Sequence, residues 1–331
     1  MPRIQAILAD DAIVRVTGIS PRQIEIVGEP VEFQSLRLEI QDAEKSILLA
    51  RTRRSTHRDR TMLRIPIHDL DDPRIAVFRD LKATNQTRRL GQFVVEGERL
   101  VDRLIESRFT IASALLAERY EGKLARSIPD DVPVYVLPDA MVDRVVGFPF
   151  HRGILASGLR GDWPPIEELA GDRSRPFLVV VCPKISNPEN LGAITRIADV
   201  FGAGAILTGP ECPDPLSRRV LRVSMGSALR MPVIVEDHPR EAASRLVESS
   251  GFVFFAAVAD PSAVPFGRAG RPVRLGLVLG DEHEGVDPEW LPLCQVAVTI
   301  PMRPGAGSLN VAVAAGILIH HFAFEAPAVR S

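Results

Sequence analysis

The 331-residue sequence lacks the features that mark secreted, metal-binding and membrane proteins. It has three cysteines, Cys182, Cys212 and Cys294, an odd number whose spacing fits neither a disulfide framework nor a zinc cluster. No apolar N-terminal segment precedes a small-residue cleavage site, and no apolar run reaches the roughly 18–20 residues that cross a membrane. We therefore expect a cytoplasmic protein in a reducing compartment, with no metal and no membrane partner.

The fingerprints of two large nucleotide-binding classes are also missing. No Gly-Lys-Ser/Thr ending completes a phosphate loop, and no G-x-G-x-x-G follows an apolar strand. This removes most of the support for an ATPase or a nicotinamide-dependent oxidoreductase. The net charge of −2 gives no basic field over the whole chain, so a nucleic-acid partner would have to bind a local patch.

A basic patch of this kind lies between Arg51 and Arg89. The segment contains eleven Arg or Lys against five Asp and no Glu, a net charge of +6. Such a segment is equally compatible with RNA binding and with an ordinary solvated face.

Length and patterning predict two folded domains and an N-terminal extension. Residues 1–61 are either a small β-rich appendage or sequence upstream of a true start at Met62, and both alternatives remain open. Residues 62–160 mix strands and helices, whereas residues 161–174 are rich in Gly, Pro and charge, as linkers are. Residues 175–331 alternate strands and helices regularly, which predicts an α/β fold with a mostly parallel sheet covered on both faces.

The apolar periodicity also predicts individual elements in this C-terminal part. The expected strands are Phe177–Val181, Ala205–Thr208, Val233–Val235, Val253–Val258, Leu275–Leu279 and Val296–Ile300, and the expected helices are Leu191–Phe201, Arg218–Leu229, Arg240–Ser249 and Leu309–Phe324. The last helix is small and apolar on nearly every face, so we expect it to be buried in its own domain or against a partner chain.

A first candidate motif lies where the first strand of this part turns into a helix. Asn190 can cap the helix, Gly192 permits close backbone approach, and Arg196 follows within two turns. Taken alone the motif is weak, because capped helices with one exposed arginine are common.

Two further motifs follow later strands. In residues 277–285 an apolar strand leads into Gly280 and Glu282, at a strand end where ligands of α/β sheets collect. In residues 300–310 a glycine-rich loop can wrap around a flat ligand such as adenine, and Ser308 occupies the expected N-cap of the last helix.

In this order and at these spacings, the three motifs resemble the SpoU (TrmH-like) branch of the SPOUT methyltransferases over residues 175–327. Residues 71–75, 91–100 and 151–156 are similar to the substrate-binding domain that precedes the catalytic domain in many members and looks like a ribosomal RNA-binding protein. The resemblance implies a Rossmann-like α/β sheet with a C-terminal trefoil knot, preceded by a smaller α/β RNA-binding domain. It also implies a homodimer that binds S-adenosyl-L-methionine (AdoMet) at the knot.

The resemblance further implies an activity, namely methyl transfer from AdoMet to a ribose 2′-hydroxyl of ribosomal or transfer RNA. The implied catalytic residues are Arg196, Asn190, Glu282, Ser308 and Asn310, and the implied cofactor contacts are Leu279, Gly280, Ile300, Met302, Ser308 and Leu309.

Arg196 is a poor base, because a guanidinium stays protonated in proteins. We therefore expect Arg196 to clamp a phosphate and stabilise the developing alkoxide, with the base left open. The alternative is a non-catalytic RNA-binding or ribosome-associated protein that retains the fold, against which the presence of Arg196 and Glu282 argues.

Overall fold

The structure is a computed structural model that describes residues 4–7, 13–16, 63–81, 85–124, 128–282, 284–305 and 307–325. Contacts between residues divide the chain into two compact units, Met1–Arg60 and Thr61–Ser331. In the first unit, β1 (Ile4–Ile7) and β2 (Ile13–Val16) pair antiparallel. The prediction for residues 1–61 otherwise lies outside the described residues, as does the part of the basic patch up to Arg60.

A five-stranded sheet forms the N-terminal half of the second unit. Its strands are β3 (Arg64–Pro66), β4 (Gln92–Glu96), β5 (Ile111–Ala117), β6 (Val134–Leu137) and β7 (Ile154–Leu159), in the order β3-β6-β5-β7-β4. Strand β7 runs antiparallel to both of its neighbours, whereas β3, β6 and β5 are parallel. The accompanying helices are α1 (Asn85–Arg89), α2 (Glu98–Glu106), α3 (Glu121–Leu124) and α4 (Asp139–Val146). Phe93 and Val95 pack into one apolar cluster and Val94 into another, so both faces of the sheet are covered.

A seven-stranded sheet forms the C-terminal half. Its strands are β8 (Phe177–Cys182), β9 (Ala205–Thr208), β10 (Val233–Val235), β11 (Val253–Ala257), β12 (Val264–Pro265), β13 (Arg274–Val278) and β14 (Cys294–Thr299). The order is β10-β9-β8-β13-β11-β14-β12, and every pair is parallel. The predicted α/β class with a mostly parallel sheet is confirmed.

Helices cover both faces of this sheet. The helices of this half are α5 (Ile166–Ala170), α6 (Pro188–Val200), α7 (Arg218–Val223), α8 (Pro239–Ser250) and α9 (Val311–Phe324). Leu178 and Val180 of β8 pack with residues of α6 and α9, whereas Val179 and Val181 pack with residues of α5 and α8. The near-continuous apolar runs of the strands reflect this two-sided burial.

The prediction of one helix over Arg218–Leu229 is wrong. Helix α7 ends at Val223, after which Met225 (φ 53°) and Gly226 (φ 80°) adopt the left-handed conformation and turn the chain. A short 3-10 helix, Ser227–Leu229, follows. Gly226 is the sequence signal for this break, because glycine adopts the left-handed conformation at little cost.

The segment predicted as a linker, residues 161–174, contains α5. Ile166 and Ala170 are buried in the same cluster as residues of α8. Arg274, which is 2% exposed, donates a hydrogen bond of 2.8 Å to the Ala170 carbonyl at the end of α5. The buried side chains and the hydrogen bond to the last carbonyl of α5 hold this segment against the seven-stranded sheet.

Helix α7 packs on both halves of the second unit. Val220 is buried in the cluster that contains α6, and Leu221 is buried in the cluster of the five-stranded sheet. Arg160 and Asp214 add an ion pair between the halves, with N to O distances of 3.1 and 2.5 Å. The two halves therefore share buried surface rather than meeting only through a connecting segment.

Gly192 lies where α6 crosses α7 at short range. A Cβ there would lie 2.8 Å from the Cβ of Val223 and 3.1 Å from the Val220 carbonyl oxygen. We expect Gly192→Ala to destabilise the fold by about 1–3 kcal/mol through overpacking, and so to lower the midpoint of thermal unfolding. Gly316 of α9 is the matched control, because a Cβ there would meet Ile197 Cδ1 at 3.6 Å. Gly316→Ala should leave the midpoint unchanged or raise it, and an equal drop of the midpoint in both variants would contradict the tight crossing.

Candidate active site

A cleft of about 470 Å³ opens at the carboxyl-terminal edge of the seven-stranded sheet. Its walls come from the segments that follow β11, β13 and β14, together with residues 308–309 and one side of α9. Parallel sheets collect ligands at this edge, and the volume lies within the range of about 300–1,000 Å³ that is usual for small-molecule sites.

The structure brings together all six residues that the sequence analysis proposed as cofactor contacts. The cleft is lined by Leu279, Gly280, Ile300, Met302, Ser308 and Leu309. Leu279 is 1% exposed and Leu309 is 38% exposed, so the apolar lining extends from the floor of the cleft to its rim. Apolar walls with a few polar groups are typical of sites for flat ligands.

Gly280 permits the tight turn at the floor of the cleft. A Cβ at this position would overlap the backbone of Gly285 and Val286. The turn is closed by two backbone hydrogen bonds between Asp281 and Gly285, of 2.9 and 3.1 Å. This turn holds Glu282 at the cleft, which explains why the acidic segment is flanked by glycines.

A chain of hydrogen bonds joins three of the residues that the sequence analysis proposed as catalytic. Asn190, 8% exposed on α6, donates from Nδ2 to Glu282 Oε1 at 2.6 Å. Asn310 donates from Nδ2 to Asn190 Oδ1 at 3.0 Å, and its own Oδ1 accepts from the Ala312 amide at 2.9 Å. We call Glu282, Asn190 and Asn310 the amide network; it links α6, the turn after β13 and the start of α9.

The two capping predictions are wrong. Asn187 caps α6, since its side chain accepts from the Glu189 amide, and Asn190 lies inside the helix. Asn310 caps α9, whereas Ser308 lies exposed in the loop and lines the cleft. The Asn-Pro step at residues 187–188 was the available signal for α6, because proline favours the first helical position.

Arg196 lies apart from the cleft of its own chain. It is exposed on α6, is not among the residues that line the cleft, and forms no hydrogen bond or ion pair within the described part of the chain. Four large apolar side chains are also exposed on α6 and α9, namely Val200, Val313, Ile317 and Phe324. The structure therefore unites the amide network with the cleft but does not unite Arg196 with either.

The sequence analysis missed the loop after β8 as part of the site. Ser186 donates from Oγ to Glu282 Oε2 at 3.2 Å. Cys212 supports this loop, because its Sγ accepts from the Ile185 amide at 3.3 Å and donates to the Cys182 carbonyl at 3.1 Å. Burial, and to a smaller extent Glu282, raises the pKa of both thiols, so they stay protonated and act as packing groups. The position of the loop at the carboxyl end of β8 was the available signal.

Metal clusters and membrane-spanning helices are both absent from the described residues. Within them, no group of three or more His, Cys, Asp and Glu side chains could hold a metal ion. In the same part of the chain, no helix is long and apolar enough to cross a membrane.

Comparison with known proteins gives the family. Residues 177–320 match the SpoU rRNA Methylase family. An uncharacterized tRNA/rRNA methyltransferase of Mycobacterium tuberculosis is 34% identical over 262 residues, which cover 76% of this chain and 89% of that protein. The 23S rRNA (guanosine(2553)-2′-O)-methyltransferase RlmP of Bacillus subtilis is 25% identical over 255 residues, covering 77% and 98%. The AdoMet-bound rRNA methyltransferase of Sinorhizobium meliloti shares the fold, with a TM-score of 0.66 and 21% identity over 78% of this chain and 96% of its own. This chain therefore belongs to the SpoU methyltransferase family.

Proposed function

We propose that this protein transfers the methyl group of AdoMet to a ribose 2′-hydroxyl of ribosomal or transfer RNA. The observation that carries the proposal is the amide network, which places Glu282 at the rim of an apolar cleft. The names of related enzymes, RlmP and RlmB, support guanosine of 23S ribosomal RNA as the first substrate to test.

The cleft fits AdoMet in its size and its lining. The volume of about 470 Å³ suits a nucleoside with a short side chain, and Gly280 permits the tight turn that forms the floor of the cleft. Leu279, Ile300 and Leu309 would hold the adenine, and the exposed Ser308 hydroxyl would orient the polar part. When bound, AdoMet supplies a methyl group made electrophilic by its sulfonium.

Residues of the chain itself would orient the reactants, bind the RNA phosphate and stabilise the charge that develops. Glu282, held by Asn190 and Ser186, would orient the reactants at the rim of the cleft. Arg196 would clamp the neighbouring phosphate and stabilise the negative charge that develops on the 2′-oxygen. Proton removal is assigned to no single residue.

We infer that the active unit is a homodimer. Val313, Ile317 and Phe324 follow one face of α9 at helical spacings and are 52%, 37% and 69% exposed, and Val200 at the end of α6 is 62% exposed. Exposed apolar side chains grouped on one face are typical of interaction sites. Pairing of two copies through α6 and α9 would cover these side chains. It would also bring Arg196 of one copy close to RNA bound at the cleft of the other copy.

The proposal includes the finer architecture and the location. We assign a trefoil knot to the C-terminal region, RNA binding to residues 62–160, and catalysis to residues 175–331. The cytoplasm is the expected location, because the three cysteines are free thiols.

The direct test uses the full chain, radiolabelled AdoMet, and total RNA from cells that lack this gene. We expect label in RNA that resists alkaline cleavage, because a 2′-O-methyl group blocks attack on the adjacent phosphodiester. Mass spectrometry of the nucleosides then identifies the residue. Label on a base would overturn the ribose assignment, and RNA binding without any label would favour the non-catalytic alternative.

A further inference from the structure

Two arginines from different halves of the second unit meet at one buried carboxylate. Glu96, at the end of β4, is 7% exposed. Its Oε1 lies 3.5 Å from Arg152 Nε, and its Oε2 lies 3.7 Å from Arg218 Nε. Within the described residues Oε2 accepts no hydrogen bond, so charge rather than hydrogen bonding holds Arg218 at this place.

The positive charge of this group exceeds the negative charge. Arg152 and Arg218 face one carboxylate, and Arg222 lies one helical turn after Arg218 on α7, close enough for its charge to act on Arg218. Burial and, to a smaller extent, Arg222 lower the pKa of Arg218, while Glu96 opposes this change. The side chains of Arg152 and Arg218 are 50% and 24% exposed, so solvent reaches the excess charge. We name Glu96, Arg152, Arg218 and Arg222 the junction cluster.

Phe148 fixes the orientation of Arg218. The guanidinium carbon lies 4.2 Å from the centre of the Phe148 ring. Nη1 of Arg218 is buried and has no hydrogen-bond partner among the described residues, so a phosphate would reach this unused donor only if the side chain shifts outward. A planar guanidinium with spare donors suits a phosphate, which accepts two parallel hydrogen bonds.

The adjoining helix α2 limits where a phosphate could bind. It carries a row of acidic residues, Glu98, Asp102 and Glu106, at spacings of four. Partial burial, then Glu98 and Glu106, raise the pKa of Asp102. Arg99 and Arg103 lie on the same helix, so the acidic row disfavours a polyanion only along its own side of α2.

Helix α7 connects the junction cluster to the amide network. Arg219, the neighbour of Arg218, forms an ion pair with Glu189 in the first turn of α6. Glu189 directly precedes Asn190. An RNA strand bound at the junction cluster would therefore lie one short helix away from the amide network.

We propose that the junction cluster binds a phosphodiester of the substrate RNA, with Arg152, Arg218 and Arg222 as donors and Glu96 as the group that holds Arg152 and Arg218 in place. This inference rests on the proposed methyl transfer to RNA. The site is separate from the basic patch of residues 51–89, and it uses residues from both halves of the second unit.

The test measures RNA binding and turnover of the full chain with Arg152→Gln and Arg222→Gln combined. Removing both arginines should reduce the slope of log affinity against log salt by about 1.4–1.8, that is by about 0.7–0.9 for each lost phosphate contact. We expect the KM for RNA to rise at least about fivefold, with kcat at saturating RNA and AdoMet affinity unchanged. Arg240→Gln with Arg245→Gln is the matched control, because these α8 arginines are similarly exposed, 54% and 50%, and paired with glutamates.

Conservative variants separate charge from packing. Arg152→Lys with Arg222→Lys should keep the salt slope, and a reduced slope in this variant as well would overturn the inference. The inference would also be overturned if the Arg152→Gln and Arg222→Gln variant had the same salt slope and the same KM for RNA as the α8 control. Failure of the wild-type chain to label RNA at all would instead defeat the proposed function.

Discussion

Arg196→Ala is expected to lower kcat for methyl transfer by at least about 100-fold while AdoMet affinity stays within a few fold. Arg196 is exposed and has no side-chain hydrogen bond or ion pair among the described residues, so its removal breaks no such bond there. A guanidinium that acts on charge developing in the transition state contributes to kcat rather than to cofactor binding. Turnover is measured under single-turnover conditions and AdoMet affinity by calorimetry.

Arg230→Ala is the control for this variant. Arg230 is 64% exposed and pairs with Asp199 in the last turn of α6, three residues after Arg196, with an N to O distance of 2.6 Å. It thus matches Arg196 in charge and in proximity to α6, and exposed pairs of this kind contribute little to stability. We expect near wild-type turnover from the control. Near wild-type turnover from Arg196→Ala would remove Arg196 from the mechanism.

The cleft was predictable because its residues carry local signals. Gly280 interrupts an apolar strand that leads into an acidic turn, and Ser308 follows a glycine-rich loop. Both segments follow strands of a parallel sheet, and such segments meet at one edge. Local sequence therefore specified which loops form the site.

The amide network was not predictable from local signals. Asn190 contacts Glu282 across 92 residues and Asn310 across 120 residues. Side-chain oxygens near a helix start suggested caps, but the helices begin elsewhere, at Pro188 and Val311. Which amide caps and which one bridges depends on how α6 and α9 pack together.

The packing between the two halves of the second unit was not predictable from the sequence, for a related reason. Composition marked residues 161–174 as a linker, because Gly, Pro and charge are typical of exposed connections. Leu221 and Leu229 nevertheless pack with Phe93 and Leu100 of the five-stranded half. Periodicity indicates that a helix has an apolar face, but not which half of the molecule buries it.

The amide network fixes the direction of each of its hydrogen bonds. Asn310 Oδ1 must face the α9 backbone amides, which can only donate. Its Nδ2 therefore faces Asn190 Oδ1, and Asn190 Nδ2 faces the carboxylate of Glu282. Position 190 thus requires a side chain that accepts from one neighbour and donates to the other, which asparagine does and an ionised aspartate does not.

Asn190→Asp should lower kcat/KM at pH 8 by at least about 100-fold, because two carboxylates would then face each other where a 2.6 Å hydrogen bond now lies. Their repulsion raises the pKa of the pair, so a shared proton restores the bond as the pH falls. The ratio of variant to wild-type activity should therefore rise from pH 8 to pH 6. Adding Glu282→Gln removes the repulsion, since the new amide can donate to the aspartate, and should abolish the rise. A ratio that does not change with pH in Asn190→Asp alone would show that the amide network does not position Glu282.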